Sequence, residues 1–532
     1  MTHRRPALRM MFLAAAVFTG EIWTRVPLAA TPQASRGPEA VLEHAQHLIA
    51  HGQLEQARQE LEDATRRFPS EPLFFNFLGV IDAQEDHPAE AEKEFGETIK
   101  REPRYEGAYL NLGRLYQEES AHDPKGFTAK AAEVYSALLQ FDPQNSQANY
   151  QYAILKLRLH AFQDSLVHIL KLPADDQQQP AALAIRCVDR AESGDTRQAS
   201  ADADQLLQSS ALTEPDVLSV LPGLDAAHDS IAIQLLEGLQ RRGLASASSL
   251  EQLGVRYERA GRLQEARATL EDSAREEPTA VEPLVRLARV AQAQNDLRGA
   301  LGYLAHARDL EPNNAAIHFF FGMVCVELDL HQDAYTSLKK AVELNPENAY
   351  YNYALGAVCS GRENPSEALP YFKKYRALKP EDPRGTLALG ATYYYSHDLE
   401  AAHAELAKIA REPATAAGAN YFLGRIADDL GEWPLAVTLL NRAIQSQPRY
   451  ADAYAVLGAV YLNQKDFPQS NRALEQAIKL DPDNYLANLN LMKLYGRTQD
   501  PRTEAQSRRF AELKEERDER AKLFLRTVRV VP

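Results

Sequence analysis

Hydrophobic and small residues recur along this chain with a period of 34 positions. A glycine or alanine that follows a large apolar residue opens each period. A second small residue comes twelve positions later, and a proline comes twelve positions after that. The first small column consists of Gly79, Gly113, Gly254, Ala288, Gly322, Gly356, Gly390, Gly424 and Gly458. A column kept in phase over so many periods predicts a chain built from structural repeats.

One period predicts a pair of helices. Leu253 and Tyr257 lie on one face of a first helix, because residues three or four positions apart share a helix face. Gly261 ends that helix, Ala266 opens the apolar face of a second helix, and Pro278 ends the second one.

The glycines of the first column lie inside predicted helices. A glycine there costs up to about 1 kcal/mol relative to alanine. Its repetition therefore indicates a place where two helices approach closely. We expect Gly254 to face Ala266 across the helix pair.

The large-then-small pair, Tyr257, Ala266 and Pro278 at these spacings resemble the tetratricopeptide repeat (TPR) family. The resemblance implies an all-α, TPR-type α-solenoid, which is a right-handed superhelix of helix-turn-helix hairpins, with about 13 or 14 repeats. It is similar to exported bacterial TPR scaffolds.

The motif varies in clarity along the chain. We predict an amino-terminal TPR block over 38–173, a segment of degenerate repeats or a hinge over 174–246, and a carboxy-terminal TPR block over 247–518. Residues 519–532 form the end of a capping helix and a tail, and residues 1–37 a signal peptide with a short linker.

The leader has a basic start with Arg4, Arg5 and Arg9, an apolar run over 10–19, and a small residue, Ala30, at the expected cleavage point. The apolar run is too short to cross a bilayer. We therefore expect a periplasmic or secreted protein without an integral membrane span. A cytoplasmic adaptor or regulator is the alternative if the leader is not cleaved.

Composition narrows the functional class. The chain has 532 residues, of which 45% are hydrophobic and 25% charged, and its net charge is −15. The hydrophobic content excludes a chain that is disordered throughout. The negative net charge argues against nucleic-acid partners. Cys325 and Cys359 occupy equivalent interior positions one repeat apart, where we expect cysteine to pack as a small apolar residue.

The sequence offers little chemistry. It lacks the phosphate-binding glycine loop and the hydrolase and zinc motifs, so we predict no enzyme, no cofactor and no metal site. His44, His47 and His51 share one face of the first predicted helix and could bind a transition metal, but polar residues on an exposed first repeat explain them as well.

In TPR proteins the first helix of each repeat lines a concave groove. Carried over to this chain, the resemblance implies a set of groove residues rich in aromatic side chains. They are Arg289, Phe319, Met323, Tyr350, Tyr353, Tyr394, Tyr395, Tyr421, Arg425 and Asp428. Tyrosine combines a large apolar area with a polar tip, which suits an interface, but the same rings could equally pack against neighbouring helices.

We therefore expect a non-enzymatic scaffold that binds an extended peptide or a partner protein in this groove, within the cell envelope. A carbohydrate-binding protein, or an accessory protein of polysaccharide export or secretion, is the alternative.

Overall fold

The computed structural model describes residues 37–120, 124–361 and 364–528. The chain is 79% helical, with 28 α-helices and no strand within these ranges. The predicted all-α fold is confirmed. The predicted signal segment, apart from Gly37, lies outside the described residues, as do residues 529–532 of the tail.

The helices follow one another with short connections. Their bounds are α1 Pro38–Ala50, α2 Leu54–Arg67, α3 Leu73–Gln84, α4 Pro88–Arg101, α5 Glu106–Glu119, α6 Pro124–Phe141, α7 Ser146–Arg158, α8 Phe162–Ile169, α9 Pro180–Glu192, α10 Thr196–Gln208, α11 Glu214–Leu218, α12 Asp229–Arg241, α13 Ala247–Arg259, α14 Leu263–Glu276, α15 Val281–Ala293, α16 Leu297–Leu310, α17 Ala315–Glu327, α18 His331–Leu344, α19 Ala349–Gly361, α20 Pro365–Leu378, α21 Pro383–Tyr395, α22 Leu399–Ile409, α23 Ala416–Asp429, α24 Trp433–Ser446, α25 Ala451–Asn463, α26 Phe467–Leu480, α27 Tyr485–Thr498 and α28 Thr503–Val528.

Except for the short α11, each odd-numbered helix pairs with the even-numbered helix that follows it. A residue with left-handed backbone conformation connects the two helices of most hairpins. Gly261 has φ +72°, and the next amide, that of Arg262, donates to the carbonyl of Tyr257 at 2.8 Å. This bond ends α13 and turns the chain into α14. Side-chain-bearing residues take the same conformation at Asn295, Asp329, His397 and Lys465.

In some repeats, an asparagine side chain forms a hydrogen bond in the connection between successive hairpins, which was not predicted from the sequence. Asn352 Nδ2 donates to the carbonyl of Pro346 at 2.9 Å, and Asn488 Nδ2 donates to that of Pro482 at 3.0 Å. Each proline lies just beyond the end of a second helix. The asparagine side chain thus satisfies a carbonyl that no helical amide reaches, and it fixes the start of the next first helix.

The first small column lies where large side chains of the second helix pack. A Cβ added at Gly254 would lie 2.6 Å from Leu270 Cγ, and one added at Gly390 would lie 2.5 Å from Leu406 Cγ. Gly356 faces the ring of Phe372 in the same way. The close approach is confirmed, and the atoms nearest to each glycine belong to a large residue sixteen positions on. The two small columns also face each other across the hairpin: Ala334 O lies 3.3 Å from a Cβ added at Gly322, and Ser470 Oγ donates to the carbonyl of Gly458 at 2.8 Å. These pairs are equivalent to Gly254 and Ala266, so they support the expectation that Gly254 faces Ala266.

The helices group into two compact units, one ending at Glu277 and the other beginning at Pro278. Within the first unit, the segment 174–246 contains a regular hairpin, α9 with α10. The next first helix is reduced to the five residues of α11, followed by a 3₁₀ turn at Leu221–Gly223, where Pro222 interrupts it. The predicted hinge and block boundaries remain predictions.

Charged side chains hold α9 against α10. Arg186 donates two hydrogen bonds to the Asp202 carboxylate, at 2.8 and 3.1 Å, and Arg190 adds a third at 2.6 Å. The Arg186–Asp202 pair is buried, so its two-pronged geometry compensates for the removal of both charges from water.

Asp189, on the same helix, is fully buried, and neither of its carboxylate oxygens has a hydrogen-bond partner among the described residues. Burial raises its pKa to about 8, and the nearby Ser165 hydroxyl partly opposes that shift. Asp189 is therefore largely protonated at neutral pH, which avoids an isolated buried charge.

Among the described helices, none combines the length and the hydrophobicity of a membrane-spanning segment.

The glycine column yields a stability test. Gly356→Ala should destabilise the protein by about 1–3 kcal/mol, because its new Cβ would lie 2.9 Å from the Phe372 ring. The control is Gly302→Ala on α16, where no heavy atom lies within 4 Å of the added Cβ and alanine should gain up to about 1 kcal/mol. Thermal unfolding compares them, and equal melting temperatures would contradict the packing account.

Asp189 predicts a pH dependence of stability. The pKa of its carboxyl is raised in the folded state, so folding keeps a proton that the unfolded chain releases above pH 4. Its contribution to stability therefore falls as pH rises from about 4 to 8. Asp189→Asn should raise the melting temperature at pH 8 and have a smaller effect at pH 5. A melting temperature shifted equally at both values would show that Asp189 does not titrate in this way.

Candidate functional site

The predicted groove residues lie on the first helices of five successive hairpins, α15, α17, α19, α21 and α23, all in the second unit. Burial divides them. Tyr350 and Tyr395 are 57% and 53% exposed, whereas Tyr394 and Tyr421 are 8% and 7% exposed. The ten predicted residues therefore do not form one uniform surface, and their contacts are described below group by group.

Arg289 and Phe319 meet in a groove of about 540 Å³ between α15 and α17. Val285 and Ile317 contribute apolar walls, and Gln292 a polar one. Glu282 and Glu311 also line this α15–α17 groove, so it combines apolar walls with the exposed guanidinium of Arg289 and two carboxylates. Such a surface can accept an apolar side chain beside a polar or charged group.

Tyr353 packs inside its own hairpin. Its ring centroid lies 4.9 Å from that of Tyr375 and 5.6 Å from that of Phe372, both on α20. Of the two readings of this ring, groove surface or interhelical packing, the contacts favour packing. Met323 is half-buried on α17 and is not among the residues that line the α15–α17 groove.

The second group surrounds Arg425. The guanidinium carbon lies 4.6 Å from the ring centroid of Tyr394, 5.7 Å from that of Tyr421 and 5.8 Å from that of Tyr395. Arg425 also donates a long hydrogen bond, 3.4 Å, to the Tyr421 hydroxyl. We call Arg425 with Tyr394, Tyr395, Tyr421, Phe422 and Tyr450 the Arg425 cluster.

Ring contacts hold the Arg425 cluster together. Phe422 lies 5.1 Å from Tyr421, 5.7 Å from Tyr394 and 5.8 Å from Tyr395, measured between ring centroids. Tyr450 lies 5.0 Å from Tyr421. Burial, opposed in part by Arg425, raises the pKa of Tyr421 to about 12, so its hydroxyl stays protonated at neutral pH.

The acidic residues beside the cluster have other partners. Tyr394 donates a hydrogen bond of 2.7 Å to Asp429 Oδ2. Burial raises the pKa of Asp428, and a hydrogen bond with Asn463 partly opposes that shift. The other oxygen of Asp428 is buried without a partner among the described residues. Asp428 therefore faces Asn463 on the neighbouring first helix, α25.

Sequence reasoning missed three rings of this surface. Phe422 and Tyr450 belong to the Arg425 cluster, and Tyr351 stacks on Phe319 with centroids 4.7 Å apart. Tyr450 carried a usable signal, since it stands where other repeats begin their first helix with Asn314, Asn348 or Asn484. Phe422 and Tyr351 occupy positions whose residue type varies between repeats, so the period alone gave no signal.

The histidines and cysteines that the sequence singled out make contacts within the protein. His44 Nδ1 lies 2.5 Å from Glu60 Oε2, and the rings of His47 and His51 stack at 4.1 Å. Cys325 and Cys359 are fully buried free thiols, as their interior positions predicted.

Two groups of acidic and histidine side chains have the proximity of metal ligands. In the first, Asp82 and Glu85 each accept a hydrogen bond from Arg58, at 2.7 and 2.5 Å. In the second, His228 Nδ1 lies 2.9 Å from Glu192 Oε1 and 3.0 Å from Asp225 Oδ1. Contacts within the protein account for both groups.

Sequence models of the tetratricopeptide repeat family match residues 42–85, 327–383, 387–451 and 451–484. The protein is a tetratricopeptide repeat (TPR) protein. The predicted TPR-type α-solenoid class is thereby confirmed. A TPR fold is typically a non-enzymatic scaffold for protein–protein interaction, and TPR proteins bind protein or peptide partners.

Among curated proteins, none matches the chain. Among solved structures, it is similar to a TPR protein from Parabacteroides merdae, with 17% identity over 47% of this chain and 98% of that chain, at a TM-score of 0.41. It is also similar to YrrB, a TPR protein with an unusual peptide-binding site, with 22% identity over 41% and 95% of the two chains, at 0.26. The complex Cut9–Hcn1 aligns over 87% of this chain and 97% of that chain, with 14% identity and a TM-score of 0.37. At these values the likenesses carry no argument about a ligand.

The two environments on α19 can be told apart by mutation. Tyr353→Ala should lower the free energy of unfolding by about 1–3 kcal/mol, because a half-buried ring leaves a gap against Phe372 and Tyr375. Tyr350→Ala, three residues earlier and 57% exposed, should change it by less than about 0.5 kcal/mol. Chemical or thermal unfolding measures both changes. A larger loss of stability in Tyr350→Ala than in Tyr353→Ala would show that Tyr353 is a surface residue and not a packing residue.

Proposed function

We propose that this TPR protein is a scaffold whose second unit binds an extended segment of a partner protein along the first helices of successive hairpins. The observation that carries the proposal is the α15–α17 groove, where Arg289, Val285 and Phe319 from adjacent first helices meet around about 540 Å³ of open space. On α21 and α23, the Arg425 cluster adds the exposed ring of Tyr395 beside a half-buried guanidinium.

The proposed mechanism is display of side chains at regular spacing. Repeats hold each first helix beside the next, so an extended chain can contact several hairpins and gain affinity from many modest contacts. Phe319 offers an aromatic surface to an apolar side chain, while Arg289 and Gln292 offer hydrogen bonds at the rim.

We further propose that the protein works in the cell envelope after export. The basis is the leader sequence, with its arginines before a short apolar run and Ala30 at the cleavage point. Mass spectrometry of the mature protein tests it: an amino terminus following Ala30 supports export, and an intact Met1 contradicts it.

A glycan is the alternative ligand. Tyr350 and Tyr395 are large exposed rings on first helices, and such rings can stack on sugars as well as on peptides. Binding to a glycan array that is lost in Tyr395→Ala would favour this alternative.

A displayed library of random peptides tests the groove itself. Peptides selected on the wild-type protein should bind the double variant Arg289→Ala, Phe319→Ala at least about tenfold more weakly, since it removes both the cation and the aromatic surface. The matched control is Arg298→Ala, which removes an exposed arginine from the second helix of the α15–α16 hairpin.

Thermal unfolding must first show that the double variant folds, because Phe319 also stacks on Tyr351. Selected peptides that bind the folded double variant as tightly as the wild type would contradict the proposed groove.

A further inference from the structure

One position on the first helices of the second unit is enriched in cations. It directly follows the small column, and across the repeats from α15 to α27 it contains no acidic residue although the protein has a net charge of −15. Its occupants are Arg289, Met323, Ala357, Ala391, Arg425, Ala459 and Lys493. Two arginines and a lysine therefore stand in register, four and two repeats apart.

These three cations form no ion pair among the described residues, although the charge of Arg425 partly opposes the raised pKa of Asp428, three residues on. Neither Arg289, Arg425 nor Lys493 forms an ion pair with any acidic group in the described part of the chain. Arg289 and Lys493 are exposed, so water solvates them. Arg425 is half-buried among tyrosines, where loss of water makes an unpaired guanidinium more costly.

Three acidic residues beside the Arg425 cluster have other partners. Asp429 accepts the hydrogen bond of Tyr394, and Asp452 accepts one of 2.7 Å from Asn484. Asp428 bonds to Asn463. Hydrogen bonds to other groups thus hold these acids, and among the described residues Arg425 donates only the long hydrogen bond to Tyr421.

We propose that the segment bound by the second unit is acidic, and that a side-chain carboxylate of that segment binds Arg425. This inference rests on the proposed function and adds the chemical class of its ligand. A guanidinium offers two parallel N–H donors that match a carboxylate, and the partly desolvated site strengthens such a pair. Tyr395, 53% exposed beside Arg425, provides an aromatic surface for the residue next to the acid. Arg289 supplies a second cation on the same line of positions.

The test uses synthetic peptides as probes. The first is a fluorescein-labelled peptide of alternating glutamate and tyrosine with an amidated carboxy terminus. The second replaces every glutamate by glutamine, and the third is the glutamine peptide with a free carboxy terminus. Fluorescence anisotropy with the full chain measures each affinity. The glutamate peptide should bind at least about tenfold more tightly than the amidated glutamine peptide, and the ratio should fall as salt is added.

Variants assign that preference to Arg425. Arg425→Gln should reduce the glutamate-to-glutamine ratio to about twofold or less, and Arg425→Lys should leave an intermediate ratio because lysine keeps the charge without the fork. Arg442→Gln is the matched control, since it removes an exposed arginine from α24, the second helix of the same hairpin, and should leave the ratio unchanged. If Arg425→Gln does not fold, Arg289→Gln serves instead, because Arg289 is exposed, and it should lower the ratio.

Several results would overturn the inference: equal affinity for the glutamate and glutamine peptides, no binding of the glutamate peptide, or an equal loss in Arg442→Gln. Tight binding of the glutamine peptide with a free carboxy terminus alone would assign Arg425 to a chain end. Binding of the acidic polysaccharide alginate, without the peptide, would assign it to a glycan. If library peptides need the α15–α17 groove but show no preference for acids, the acidic ligand is wrong while the proposed groove stands.

Discussion

The contact on which most hairpins depend joins a glycine on a first helix to a large residue on the second, and in α15 Ala288 takes the place of the glycine. Gly458 leaves only 2.4 Å between a hypothetical Cβ and Leu474 Cγ, and Gly113 leaves 2.5 Å to the Tyr135 ring. At that separation no other residue fits without movement of the core. One face of each first helix packs in this contact. The groove side chains therefore lie on the other faces of the same helix.

The sequence predicted the repeating features well because they depend on local periodicity. The helix pairs, their turns and the buried small column all follow from residues that recur every 34 positions. The packing of Leu270 against Gly254 did not follow, because the sequence does not say which residue of the second helix contributes the atoms nearest to the glycine. The prolyl carbonyl bonded by Asn352 was missed for a similar reason, since the asparagine occurs in only some repeats.

The candidate site was less predictable because its residues differ between repeats. Tyr353 and Tyr394 looked alike in the sequence, yet Tyr353 packs against α20 and Tyr394 bonds to Asp429 beneath Arg425. The two tyrosines differ in the side chains that surround them, and the 34-residue period does not predict those side chains. The electrostatic environment of Arg425 emerges only in three dimensions, where the nearby carboxylates of Asp429 and Asp452 are seen to have other partners.

The central claim is that the first helices of the second unit form the binding face. Hydrogen exchange monitored by mass spectrometry, with and without a library-selected peptide, tests it most directly. The account predicts slower exchange on binding in α15, α17, α21 and α23, with little change in α16, α18, α22 and α24. Protection confined to the second helices, or to the pocket lined by Trp433, Phe467 and Arg497 at the ends of the hairpins, would contradict it.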